Sequence, residues 1–176
     1  MRTAALFPLL ALAVALSGCA GYQIGPIKPT IMAGVKTIAV PNFKNDTLEP
    51  RVEALLANSV IKQIQQDGTY QIARENSADA ILECTLDEIQ RRPARSLSGN
   101  VLLTREYQLT LRVRYRVIRR DTGVVLEQRT VNGTTSFFVS GSNPVSGDIV
   151  QDERQAIPIA AEDMAVRLVS QISEGW

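Results

Sequence analysis

The chain has 176 residues and no histidine. The commonest general base and the commonest metal ligand are therefore missing together. Ser-His-Asp and Cys-His catalytic sets are excluded on that ground alone. Cysteine is scarce as well, with only Cys19 and Cys84. If Cys19 carries a modification, Cys84 has no partner and no intrachain disulfide forms. Cys84 lies in an alternating apolar pattern and is expected as a small buried side chain. A charge excess is also lacking. With Arg2 set aside as part of an export signal, the remainder has 18 basic and 18 acidic residues. That balance argues against a general nucleic-acid binder. After the first eighteen residues, no stretch is long and apolar enough to span a bilayer. No internal repeat is evident. There is no phosphate-cradling loop either, because the small-residue run Ser140 to Gly147 has no Lys and leads to no Gly-Lys-Ser/Thr motif.

What is present begins at the N-terminus. Met1 to Ser17 reads as a secretory signal, with Arg2 as its only charge and an apolar run from Ala4 to Leu16. That run falls far short of the ~20 residues of a membrane-spanning helix. Leu16-Ser-Gly-Cys19 resembles a bacterial lipobox, in which the Cys19 thiol receives a diacylglyceryl group and becomes the new N-terminus. Each buried CH₂ of such a lipid contributes roughly 0.8 kcal/mol of membrane affinity. Position 20 is Ala rather than Asp, and by resemblance to lipoprotein sorting this favours the outer membrane. The expected organisation is a signal peptide over 1–18, a lipid anchor and tether over 19–34, and a single α+β domain over 35–176.

Within the domain, Lys36 to Phe43 is expected as a short strand ended by Pro41. Lys44 to Thr47 is expected as a turn, and Pro50 suits an early helical position. Val52, Leu55, Leu56, Val60 and Ile64 give one face of a helix from Glu49 to Gln66, stopped by Asp67-Gly68. Thr69 to Arg74 is a second short extended piece. Ala80 to Gln90 alternates as a half-buried strand, and Arg91 to Asn100 reads as a long exposed connection around Pro93. Tyr107, Leu109, Leu111, Val113, Tyr115 and Val117 share one parity of the next strand. Glu106, Gln108, Thr110, Arg112, Arg114 and Arg116 share the other. Asp121-Thr-Gly123 turns the chain into a further strand over Val124 to Phe138. Ser140 to Gly147 reads as a loop. Asp152 to Glu174 is a second amphipathic helix, with Pro158 expected near its start. The fold class is α+β: a two-layer sandwich of a mostly antiparallel sheet of about four strands, with two amphipathic helices on one face. The helices should cover the face carrying Leu82, Leu111 and Val113.

The chemistry concentrates in a basic band. Between Arg91 and Arg120 there are nine Arg and one acid, Glu106, a net charge of +8. Guanidinium groups pair with phosphate or carboxylate in a planar fork. Arg91, Arg92, Arg95, Arg105, Arg112, Arg114 and Arg116 are therefore candidate contacts for a phosphorylated glycolipid or for acidic walls of a protein partner. The competing reading is cross-strand pairing of Arg112 and Arg114 with Glu83 and Asp87, worth ~0.2–1 kcal/mol per pair. The acidic pairs Asp87-Glu88 and Glu162-Asp163 match catalytic or metal-ligating pairs in type, but such pairs are more often solvated surface. The expectation is no catalytic residue, no metal and no cofactor.

With these pieces in place, the chain resembles the LptE family of outer-membrane lipoproteins of lipopolysaccharide assembly. The resemblance is carried by Cys19-Ala-Gly-Tyr22, Thr37 to Asn45 (Thr-Ile-Ala-Val-Pro-Asn-Phe-Lys-Asn), Ala78 to Leu82, Glu106 to Leu109 and the closing helix. It implies a non-enzymatic protein, anchored by lipid at the periplasmic face of the outer membrane. It further implies that the domain plugs and supports an LptD-like β-barrel and binds lipopolysaccharide. The strand-turn Ile38 to Asn45 also occurs in CsgG-like and TolB-like envelope lipoproteins, so the alternative is a secretion or assembly component that forms a homo-oligomer.

Overall fold

The computed structural model describes residues 28–95, 104–140 and 148–174. Six strands and two α-helices follow one another. They are β1 (Thr37–Ala39), β2 (Lys44–Asn45), α1 (Glu53–Asp67), β3 (Gln71–Ile72), β4 (Ala80–Arg95), β5 (Thr104–Arg119), β6 (Val125–Ser140) and α2 (Asp148–Glu174). A single 3₁₀ turn, Thr30–Met32, precedes β1.

Three 16-residue strands, β4, β5 and β6, form an antiparallel meander. The parity of β5 is what its sequence dictates. Leu109, Leu111, Val113, Tyr115 and Val117 are buried, while Arg112, Arg114 and Arg116 point to the other face and are exposed. Both helices lie on the first face, where Leu82, Leu111 and Val113 have no exposed surface. The opposite face has no cover among the described residues.

The sheet is mixed, which corrects the expected antiparallel sheet of about four strands. Its order is β3-β1-β4-β5-β6, with β2 also against β4. β1 is parallel to both β3 and β4, and β2 is parallel to β4. The reason is topological. Helix α1 carries the chain from one end of the sheet back to the other, so the strand after it runs in the same sense as the strand before it. Asp79 stitches this junction. Its Oδ2 accepts from the Lys36 and Thr37 amides and the Thr37 hydroxyl, each at 2.9 Å. Those three donors hold its carboxyl below the ordinary aspartate value.

Helix α1 begins at Glu53, later than the apolar spacing suggests, because Arg51 adopts a left-handed φ of 65° and breaks the helical path after Pro50. It ends at Gly68, whose φ of 75° needs no Cβ and whose N–H reaches Ile64 O at 3.0 Å. Leu56, Val60 and Ile64 face inward. Helix α2 begins at Asp148, four residues before the expected start, and Pro158 therefore lies inside it. There it leaves the Arg154 carbonyl without its helical donor, a loss that packing of Ala156, Ile157, Ala160 and Ala161 offsets. At Gly133 the helix comes down onto β6 itself, closer than any side chain would allow. At the other end, Tyr70 donates to Ile172 O at 2.7 Å. Burial, with Asp67 and Glu127 nearby, pushes its phenol up to about 12, so it remains a donor.

The connection expected over Arg91 to Asn100 is strand as far as Arg95; the remainder lies outside the described residues, as does most of the Ser140 to Gly147 loop. Pro93 is tolerated because, past Leu86, β4 has only β5 beside it. A bulge at Asp87 shifts the register, so Leu86 opposes Val113 and Glu88 opposes Arg112. The bulge swaps the faces beyond it, and Ile89, Arg91 and Pro93 join the side of Leu111, Leu109 and Tyr107. The end of the expected tether already packs, with Met32 fully buried and Lys28 Nζ 4.6 Å from the centre of the Tyr70 ring.

Candidate functional site

The basic band does not form one surface. The structure divides it into three sets. Arg114 Nη2 donates to Asp87 Oδ1 at 2.9 Å, and Arg116 holds Glu83 Oε2 through Nε at 2.7 Å and Nη2 at 2.6 Å. Cross-strand pairing thus occupies Arg114 and Arg116. These groups are half-exposed, so each pair contributes no more than ~1 kcal/mol. Arg91 forms the second set. The Asp87 bulge turns it to the helix side, where its guanidinium meets Glu153 of α2 at 2.5 Å. The Glu153 side chain is 7% exposed. A carboxylate that deep requires a cation, which Arg91 supplies.

The third set keeps its charge free. Arg112 opposes Glu88 in register, but Glu88 Oε1 accepts from Gln90 Nε2 at 2.8 Å. Arg92 opposes Gln108. Neither Arg92 nor Arg112 has a side-chain partner among the described residues. Arg95 and Arg105 continue in the same direction, paired through their backbones with Glu106 and Val139. Cys19 lies outside the described residues. The open face is consequently graded. It is neutralised near Ala80, where the chain enters the sheet, and positive towards the far end of the β4–β5 hairpin.

The neutralised half contains a shallow cleft of about 330 Å³, lined by Lys44, Asp46, Glu83, Arg114 and Arg116. Its guanidiniums are already committed to its carboxylates, which leaves it poorly suited to an anion. The acid pairs named from sequence also hold structure. Glu162 meets Lys62 at 3.2 Å. Asp163 accepts from Arg167 Nε at 3.0 Å and caps the Thr134 amide at 2.8 Å. Cys84 is buried, and burial raises its thiol far above the ordinary range. Among the described residues there is no group of three or more Cys, Asp or Glu side chains able to hold a metal ion.

Sequence reasoning missed two buried carboxylates. One is Glu153. The other is Glu127 on β6, which meets Arg129 Nε at 2.8 Å and Tyr115 Oη at 3.2 Å, while Gln171 Oε1 lies 3.0 Å from the same hydroxyl. The signal for Glu127 was parity. It sits opposite Val117, on the side of the sheet that the helices cover. The sequence also gave no sign that Leu48 would be fully exposed.

Comparison with known structures recovers the same architecture. A minor lipoprotein from Acinetobacter baumannii is 20% identical, covers 80% of this chain and 92% of its own, and superposes with a TM-score of 0.52. A neuraminyllactose-binding hemagglutinin homolog from Helicobacter pylori is 10% identical over 88% and 93% of the two chains, with a TM-score of 0.53. Lipoprotein B from Nitrosomonas europaea is 11% identical over 79% and 83%, with a TM-score of 0.50. At these identities the likeness shows the fold alone. No curated protein matches the sequence. The family model described as LptE, lipopolysaccharide-assembly, matches residues 35–172. That span takes in every strand and nearly all of both helices, and the chain belongs to the LptE family of lipopolysaccharide-assembly lipoproteins.

Proposed function

We propose that the protein sits as a plug in the lumen of an LptD-like β-barrel and binds lipopolysaccharide on its way to the cell surface. After removal of residues 1–18, an acylated Cys19 holds it at the periplasmic leaflet of the outer membrane. Residues 19–34 serve as tether and 35–176 as the plug. Its role is assembly rather than catalysis.

One observation carries this reading: the graded open face. Barrel interiors are polar and wet, and this face presents Glu83, Thr85, Arg112, Arg114, Gln128 and Asn132 rather than apolar surface. The gradient also has a direction. The chain enters at the Ala80 end, where Arg119 Nη2 donates to Ala33 O at 3.1 Å. Arg95 lies at the other end of β4, up to about 50 Å away at 3.3 Å per residue. A bilayer core is about 30 Å thick. A plug tethered at the inner leaflet therefore spans enough distance to bring free arginines to phosphate groups at the outer one.

The test is a gentle detergent pull-down of the lipidated protein from outer membranes, followed by mass spectrometry. One large β-barrel at equal stoichiometry, carrying lipopolysaccharide, supports the reading. Recovery of nothing but copies of the protein itself would sink it.

A further inference from the structure

A second surface lies outside the basic band, on the loop that joins β2 to α1. Leu48 stands there with 102% relative exposure, more than any other large apolar residue described. Its backbone is fixed. Asn45 Oδ1 accepts from the Thr47 amide at 2.9 Å and the Thr47 hydroxyl at 2.7 Å. Asn45 Nδ2 donates to Glu49 O at 2.8 Å and Glu53 Oε1 at 3.1 Å. An apolar side chain held out on an ordered loop loses little further freedom on contact.

Beside it runs a groove of about 440 Å³ between this loop and α2. Val52, Leu55 and Ile157 give it an apolar floor, and Arg51 and Arg154 give it a cationic rim. Glu49 is the one acid that lines it. Neither guanidinium has a side-chain partner among the described residues. Arg51 also occupies a backbone conformation, φ 65°, that a side-chain-bearing residue adopts at a cost and glycine adopts freely.

We propose that Leu48 and the Arg51–Arg154 groove dock a protein partner that offers an apolar pocket beside a carboxylate. Charge complementarity sets the partner's chemistry, because two unpaired guanidiniums over an apolar floor match an acidic side chain with an aliphatic neighbour. A floor of three side chains suits a side chain better than an acyl chain. Asp46 and Glu49, on either side of Leu48, disfavour an anionic lipid surface. The surface does not depend on the barrel reading.

The experiment places a photo-crosslinking benzoylphenylalanine at Leu48 of the full-length lipidated protein in intact outer membranes. The same probe at Val166, exposed on α2, is the control. The expected result is one protein adduct from position 48, crosslinked at a peptide with Asp or Glu within a few residues. Its yield should fall about tenfold or more in Arg51→Glu/Arg154→Glu. Arg51→Gly should keep or raise the melting temperature, because glycine accepts this φ, yet lower the adduct yield. A merely structural Arg51 would leave the yield unchanged. If the double variant fails to fold, Arg154→Gln on the helix surface replaces it. A lipid adduct, a self-dimer, no adduct, a peptide without an acid, or yields indifferent to the Arg variants would overturn the proposal.

Discussion

Gly133→Ala is the sharpest test of how α2 meets the sheet. A Cβ at this position would stand 2.5 Å from Met164 Cβ and 2.8 Å from Met164 N, with the Ala160 carbonyl oxygen nearer still. Carbon atoms touch at about 3.5–4.0 Å, so the shortfall is roughly 1 Å. Rotamer changes cannot relieve it, because two of the three obstructing atoms are backbone. The helix would have to lift, loosening the buried Ala160, Ala161, Met164 and Leu168. Overpacking costs about 1–3 kcal/mol where neighbours can give, and this site sits at or above the upper end. With a urea slope of about 2 kcal/mol/M, the unfolding midpoint of the non-lipidated domain should drop by about 1.5 M. Gly123→Ala is the control. No atom lies within 4 Å of its added Cβ, so only the left-handed backbone penalty of ~1 kcal/mol applies. A Gly133→Ala midpoint equal to or above that of Gly123→Ala would refute the packing described here.

Three further outcomes are expected. Arg112→Glu should leave stability within ~0.5 kcal/mol but weaken binding of phosphorylated glycolipid, whereas Arg114→Glu and Arg116→Glu should each lower stability by up to ~1 kcal/mol through lost pairing; salt-titrated binding and urea melts on the same variants read both effects. Asp79→Asn should destabilise by about 1–2 kcal/mol near neutral pH. Because the folded carboxyl is depressed, its contribution is complete above the ordinary aspartate pKa and is lost as pH falls below about 4, so wild type and variant should converge in acid; melts taken across pH check the sign. Cys84 should resist thiol reagents in the folded domain and react on unfolding, since burial both hides the thiol and opposes its thiolate; fast labelling of the native form would place it elsewhere.

Strand parity was legible wherever one face is buried and the strand is long. Tyr107 to Val117 announced its face, and so did Ala80 to Leu86. The two-residue strands β2 and β3 carried no signal, because a period of two cannot show in two residues. Their parallel pairing with the core strands was therefore invisible. Pro93 misled for a different reason. Its ban applies to strands flanked on both sides, and β4 loses its second neighbour after Leu86. The bulge at Asp87 was the costliest omission for the site. A single extra residue sent Arg91 to the helices and left Arg92 on the open face, which no count of charges reveals. The lipid-bearing Cys19 is the reverse case, because its meaning lies in local sequence and not in tertiary structure.

The three long strands are joined end to end in sequence, and this arrangement sets a folding order. The meander closes short loops, so its pairing costs little chain entropy and can form early. β1, β2 and β3 cannot act alone, because each gains a parallel neighbour only once another segment is in place. α1 and the chain before it therefore wait on residues synthesised later. During export the first half of the domain emerges first and stays unstructured longest, with Ile38, Leu56, Val60 and Ile64 uncovered until β4 to β6 have assembled behind them.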